Sequence, residues 1–294
     1  MRKWLVVWIL ILGTEAALAQ SFYAIRKNRS VILVAGTGTS TYFGELANPG
    51  DYLDAKPNIN VGLQMYFTPR ISARAEATWF SLEGTDSKAD DQSRKDRNLS
   101  FKSNNVELGF TGAFNLFPNG NRYYRRPYFN VYAFGGIGFM YFNPKTEYLG
   151  ETYALQPLNL EGADYSRIGF VLPYGLGGRF KAGPNFNVAI EGGYRKTFTD
   201  YLDDVSTVHL GPAAFSDPIA AALSDRRPEI GKAAKPAGTQ RGNPDNLDGY
   251  FLLNLKIEYY LPWDLGGQNN GRMYSQKRSS FYRYNKKGGV NRRR

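Results

Sequence analysis

A two-residue alternation of apolar and polar side chains, repeated along most of the chain, constrains its fold more than any other feature. From Asn58 to Phe67 the residues Ile59, Val61, Leu63, Met65 and Phe67 share one face, while Asn58, Asn60, Gly62 and Gln64 share the other. That is the period of a strand with one greasy and one polar side. After Thr68-Pro69-Arg70 the pattern resumes, with Ile71, Ala73, Ala75, Ala77 and Trp79 opposite Ser72, Arg74, Glu76 and Thr78. It returns at Val106 to Leu116, Val131 to Tyr141, Ile168 to Arg179, Val188 to Thr197 and Leu253 to Tyr259, and in a weaker, glycine-rich form at Val31 to Ser40. Eight strands follow.

Alternation alone does not separate a soluble β-sandwich, whose apolar faces meet in a core, from a membrane barrel, whose apolar faces meet lipid. The connections do. Thr68-Pro69-Arg70 and Lys181 to Asn185 are short and Pro118 to Arg126 is modest, whereas Thr41 to Lys56, Glu83 to Asn98, Asn143 to Ser166 and Thr199 to Asp248 are long. Short and long links alternate, so the short ones gather at one end and the long ones at the other. This is the arrangement of an outer-membrane barrel, with short periplasmic turns and long extracellular loops. The expected fold is all-β: a closed, antiparallel, eight-stranded transmembrane barrel, multi-pass in the outer membrane and surrounded by its lipids. Closure is required because backbone groups in lipid have no water to bond.

The ends agree with export. Met1-Arg2-Lys3 precedes an apolar run from Trp4 to Leu12, and Ala17-Leu18-Ala19 precedes Gln20, the layout of a secretory signal peptide. The chain is thus expected to divide into a signal peptide over 1–19, a barrel over 20–263 and a basic periplasmic tail over 264–294. No stretch holds the roughly 18 consecutive apolar residues that a spanning helix needs. Without cysteine there is no disulfide framework, thiolate metal site or thiol nucleophile. Of the net charge of +11, residues 262–294 carry +8, through nine Lys/Arg and one Asp. Nucleic acid is the usual partner of so basic a chain, and export removes it from consideration.

The lumen of an eight-stranded barrel is just wide enough for side chains to fill it. Here the fillers include Arg74, Glu76, Glu107, Arg179, Glu191, Arg195, Lys256 and Glu258, charges that would be costly unless paired. A salt-bridged plug is expected rather than an open pore. Phe67, Trp79, Tyr128, Tyr141, Phe142, Tyr259, Tyr260 and Trp263 are read as interfacial girdles.

Few residues suggest chemistry. The single histidine, His209, lies in the longest loop with Asp200, Asp203, Asp204 and Ser206, which keeps a rim hydrolase among the alternatives. The three aspartates are also hard-cation ligands, but their spacing matches no full calcium loop. A loop held by Arg226, Arg227 or Arg241 is the plainer reading. Asp217-Pro218 opens a short helix through Leu223, with Asp217 as cap. No metal, cofactor or catalytic residue is expected.

The loops carry more specific signals. Arg97-Asn98-Leu99-Ser100-Phe101, Tyr141-Phe142-Asn143-Pro144, Leu155-Gln156-Pro157-Leu158, the run from Tyr194 to Ser206, Leu223-Ser224-Asp225-Arg226 and Gln240-Arg241-Gly242-Asn243-Pro244 occur in that order. Together they resemble the Bacteroidota outer-membrane barrel family that includes PorG of the type IX secretion system. The resemblance spans about Ser30 to Leu261. It implies a non-enzymatic barrel subunit that contacts the periplasmic ring of PorK and PorN. Relatives without a secretion role share these loops, so a surface barrel serving adhesion or envelope integrity is the alternative.

The chain departs from many such barrels by continuing some 30 residues past Leu261-Pro262-Trp263. The linker-like Gly266 to Gly271 leads into a tail in which basic residues interleave with Tyr274, Phe281, Tyr282 and Tyr284. A disordered tail is the plain reading. The sharper one is docking onto an acidic periplasmic partner or cell-wall polymer, through Arg272, Lys277, Arg278, Arg283, Lys286, Lys287, Arg292, Arg293 and Arg294, with Arg125 and Arg126 of the periplasmic turn.

Overall fold

The computed structural model describes residues 29–48, 55–119 and 123–263. The expected signal peptide and basic tail lie outside the described residues. Eight long strands form the wall: β1 (Val31–Phe43), β2 (Lys56–Tyr66), β3 (Ile71–Thr85), β4 (Ser100–Asn115), β5 (Phe129–Tyr141), β8 (Ile168–Lys181), β9 (Phe186–Thr197) and β10 (Gly249–Tyr260). Each pairs antiparallel with its neighbours in chain order, and β1 pairs with β10 from Ile32↔Tyr260 to Phe43↔Gly249. That last ladder closes the barrel and leaves the wall no free edge.

Register fixes which side chains meet lipid, because successive residues of a strand point to opposite faces. Ile59, Val61 and Leu63 of β2 face outward, as do Leu108 and Phe110 of β4, Ile137 and Phe139 of β5, Ile190 of β9 and Leu253, Leu255 and Ile257 of β10. All are about half exposed. Such a belt around a water-soluble protein would be far larger than the few hundred Å² of apolar surface that monomers tolerate. Around a closed barrel it is the lipid-facing band. The chain is an outer-membrane β-barrel, with its short turns periplasmic and its long loops extracellular.

Two sequence expectations need correction here. The third long loop is not irregular. It contains a hairpin of β6 (Pro144–Tyr148) and β7 (Glu151–Ala154), turned at Leu149 and Gly150, both with positive φ (51° and 82°). It docks on the outer end of β4 through Lys102↔Lys145 and Ser103↔Pro144. Both β3 and β4 run further toward the loops than their alternation suggests, reaching Thr85 and starting at Ser100. The second correction concerns the girdles. Phe67, Trp79, Tyr128, Tyr141 and Trp263 are exposed, and Tyr259 is half-buried, whereas Phe142 and Tyr260 are buried. Phe142 joins the core under the loops and Tyr260 closes the periplasmic end.

Glycine makes room where a ring must lie along the inner wall. A Cβ built on Gly177 would lie 2.3 Å from Cζ and 2.5 Å from Oη of Tyr132. The missing side chain lets the phenol lie across β8 and reach Glu191 on β9, the three residues being in register. Gly177→Ala is therefore expected to displace Tyr132 and to lower barrel stability by about 1–3 kcal/mol. Urea unfolding of the detergent-refolded barrel would measure it.

Candidate functional site

The interior is stacked in layers. Nearest the periplasm, Ile32, Val34 and Tyr260 pack with Tyr66 and Tyr123 into an apolar stopper. Beside it Arg126, which the sequence reading placed among exposed partner residues, is buried. Its guanidinium binds Asn187 Oδ1 at 2.5 Å and donates to the carbonyls of Tyr123, Gly183, Pro184 and Phe186, over the Tyr260 ring. It is a clamp on two turns, gathering four carbonyls of which that of Phe186 also accepts from Ala182 N. Arg125 is exposed, and Arg272, Lys277, Arg278, Arg283, Lys286, Lys287, Arg292, Arg293 and Arg294 lie outside the described residues.

Above the stopper come the charges. Arg179 binds Glu258 at 2.7 Å, and also Asn115 Oδ1 and the Tyr66 hydroxyl. Asn187 donates to Glu258. In the next layer Glu191 accepts from Arg74 at 2.8 Å, from Lys256 at 2.8 Å and from the Tyr132 hydroxyl at 3.0 Å. Glu76 accepts from Lys256 at 2.8 Å and lies 3.4 Å from Arg74. Higher still, Glu107 accepts from the Tyr250 hydroxyl at 2.6 Å and lies 3.7 Å from Arg195. The four bases Arg74, Arg179, Arg195 and Lys256 thus balance the four acids Glu76, Glu107, Glu191 and Glu258. These side chains block the bore from wall to wall.

At the extracellular end the inward polarity reverses. Phe80, Leu82, Phe101, Met140 and Leu252 point inward and join Leu46, Leu99, Phe142, Leu155, Leu160, Leu202, Val205 and Leu223 from all four loops. The loops are therefore a packed cap with its own apolar core. The helix Pro218–Ser224 contributes Ala220 and Leu223, and Asp217 caps it through Ile219 N at 2.9 Å.

The run from Tyr194 to Ser206 organises this cap. Thr197 holds the carbonyl of Asp248, Leu202 and Val205 enter the core, and the amides of Ser206 and Thr207 bind Glu161 at 3.0 and 2.7 Å. Arg241 closes on Glu161 at 2.7 Å and on the carbonyl of Asp204. The expected arginine brace is shared: Arg241 ties the third loop to the fourth, and Arg226, besides pairing with Glu229, donates to the hydroxyls of Ser100 and Thr146, whereas Arg227 donates to the carbonyl of Ala233. The three aspartates do not converge as a set. Asp204 turns to the Tyr165 hydroxyl, while Asp203 meets two acids distant in sequence, Glu45 and Asp248. Sequence reading missed those two because nothing local links the first loop to the end of the fourth.

His209 is buried, its Nδ1 has no hydrogen-bond partner, and burial depresses its pKa. Among the described residues no serine or carboxylate hydrogen-bonds that nitrogen, while the charges of Asp225 and Glu161 act on the ring from a distance.

Burial pushes the carboxyls of Asp200 and Asp204 up to about 7, and those of Asp203 and Asp248 well above the usual range. A carboxyl with a higher pKa folded than unfolded contributes most below its unfolded value, and the contribution is lost as pH rises through the folded value. In buffer free of divalent cations, resistance of the fourth loop to protease is expected to fall as pH rises from about 5 to about 8. A pH series of cleavage rates measures this.

An eight-stranded outer-membrane barrel with a charge-paired lumen and a packed loop cap is the class these features define. Within it, residues 6–209 match the model of a family described as a domain of unknown function, DUF6089. The match covers more than two thirds of the sequence, and the chain belongs to that family. No curated protein matches by sequence. Among solved structures the chain is similar to Neisserial surface protein A, at 6% identity and a TM-score of 0.39, over 79% of this chain and 97% of that one. Ail of Yersinia pestis follows at 11% and 0.38, over 79% and 99%. OprG of Pseudomonas aeruginosa stands at 7% and 0.37, over 81% and 100%.

Proposed function

We propose that this barrel is a non-enzymatic, PorG-like subunit of a Bacteroidota type IX secretion system, anchoring a periplasmic ring of PorK/PorN type to the outer membrane. The observation that carries the anchoring part is the closed bore. With a balanced ion-pair plug in the middle and apolar packing at both ends, the barrel offers solutes no path. Its work then falls to its two faces. The secretion assignment rests on the ordered loop blocks that resemble the family. Most of them build the cap, so they report a shared architecture before they report a partner.

The periplasmic face is the contact surface in this reading. Arg125 stands exposed there, and the tail carrying Arg272 to Arg294 follows Trp263, whose carbonyl holds Ser30 at the barrel seam. The tail supplies the charge for an acidic ring protein or for cell-wall polymer.

Affinity purification of the tagged protein from detergent-solubilised outer membranes, followed by mass spectrometry, tests the proposal. The ring lipoprotein and its companion should be recovered, and deletion of 266–294 should reduce their yield and impair secretion. Their reproducible absence, with a correctly inserted barrel, would sink the secretion role. One observation favours the adhesion or envelope reading in that case: the loops form a built surface, not loose connections.

A further inference from the structure

The mouth of the barrel gathers negative charge that the ion pairs of the cap do not neutralise. Glu45 of the first loop, Asp203 of the fourth and Asp248 at the foot of β10 present carboxylate oxygens that all lie within 4.8 Å of one another. Asp203 and Asp248 are buried. Each is fixed through its other oxygen, Asp203 Oδ1 by Val205 N and Asp248 Oδ2 by Leu202 N, both at 2.9 Å. The Tyr42 hydroxyl lies 2.8 Å from Asp203 Oδ2 and 2.6 Å from Asp248 Oδ1. A phenol has one proton and can donate to only one of them. The facing pair therefore needs a further positive charge.

A separate observation points the same way. Asp200 is only 5% exposed, and the one donor acting on its carboxylate is the Ser206 hydroxyl, which meets neither oxygen at full hydrogen-bond geometry. Its charge acts on both Glu45 and Asp248, so it adds to the negative field of the same cluster. Glu45 accepts Asn243 N at 3.0 Å through Oε1, and its Oε2 is buried without a partner. The guanidinium whose field reaches Asp203, that of Arg97, binds Asp86 through Nε at 2.7 Å and Nη2 at 2.8 Å, shares that carboxylate with Arg94, and donates to the first loop only at the Glu45 carbonyl, not at a carboxylate of the cluster. Glu161, the other acid within range, is matched by Arg241. Buried like charges of this kind must take up protons or a cation.

We infer that Glu45, Asp203 and Asp248, with Asp200 beside them, bind one divalent cation of the calcium type and so tie the first loop to both ends of the fourth. All the ligands are oxygens, with no imidazole or thiolate, which selects a hard cation. Carboxylate oxygens that all lie within 4.8 Å of one another are close enough to gather round one hard cation, and calcium, with bonds of about 2.3–2.6 Å and flexible geometry, tolerates such a set more readily than magnesium does. The site faces the extracellular side, where modules bind calcium at about 10⁻⁴–10⁻³ M. It does not depend on the secretion role, and the two fail separately.

Terbium is the probe, because its emission is sensitised by a nearby tyrosine and Tyr42 touches two of the ligands. The full-length barrel, refolded in detergent, should show saturable emission on excitation of tyrosine, displaced by calcium in the millimolar range or below. Asp203→Asn combined with Asp248→Asn should weaken binding at least tenfold, and Asp200→Asn should weaken it less. Asp90→Asn, at an exposed position, should leave it unchanged. Heat-modifiable migration on gels establishes folding of each variant. Should the double variant not fold, Glu45→Gln at its half-buried site replaces it, with the same weakening expected. A folded wild-type barrel without saturable emission, or calcium competition unaltered in the folded variants, overturns the assignment in favour of a cluster that holds only protons.

Discussion

Glu191→Ala is expected to destabilise the barrel by about 3–5 kcal/mol, the cost of leaving a buried charge without its partner. Glu191 is 1% exposed and accepts from Arg74, Lys256 and Tyr132. Its removal leaves two bases facing the single acid Glu76 in a buried layer. The midpoint of urea unfolding in detergent is the readout. A second variant separates charge from packing. Adding Lys256→Met to Glu191→Ala removes one base along with the acid and leaves Arg74 with Glu76, 3.4 Å apart. The double variant is therefore expected to be more stable than the single one. If the two were equally unstable, the layer would owe its stability to shape and hydrogen bonding, not to charge balance.

How much of this was legible beforehand differed between the two halves of the molecule. Within the membrane the environment is uniform, so a period of two translates directly into inside and outside. That is why Ile59, Val61 and Leu63 were placed outward, and why Arg74, Glu76 and Lys256 could be read as lumen residues. Beyond the membrane the rule inverts. Phe80, Leu82 and Phe101 belong to the same strands, yet their apolar side chains point inward, because the cap is a small water-facing domain that needs a core. A reading that treated every apolar strand-end aromatic as a girdle therefore misplaced Phe142 and Tyr260.

The contacts of highest sequence separation were not legible at all. Tyr42 reaches Asp203 and Asp248 across separations of 161 and 206 residues. Arg126, expected as an exposed turn cation, is instead drawn in by four turn carbonyls that its place in the sequence does not reveal. The hairpin of β6 and β7 escaped notice because its alternation is short and largely polar, and it is the outer end of β4 that gives it an edge to pair with.

Arg241→Ala is expected to open the cap while leaving the barrel intact. Arg241 and Glu161 are each about 2% exposed at the side chain and 2.7 Å apart, and Arg241 also donates to the carbonyls of Asp204 and Ser224. One guanidinium thus joins the third loop to two points of the fourth. Losing one partner of such a buried pair costs about 3–5 kcal/mol. The loss falls on the local opening of the cap, because the strand ladders lie below it and keep their hydrogen bonds. At 1.4 kcal/mol per decade this corresponds to cleavage or hydrogen exchange in the fourth loop faster by about a hundredfold or more. The urea midpoint of the barrel should stay close to wild type. Arg241→Lys should recover little, since an ammonium does not reproduce the planar fork that spans a carboxylate and two carbonyls. A drop in barrel stability equal to the gain in loop exchange would mean instead that cap and barrel unfold as one unit.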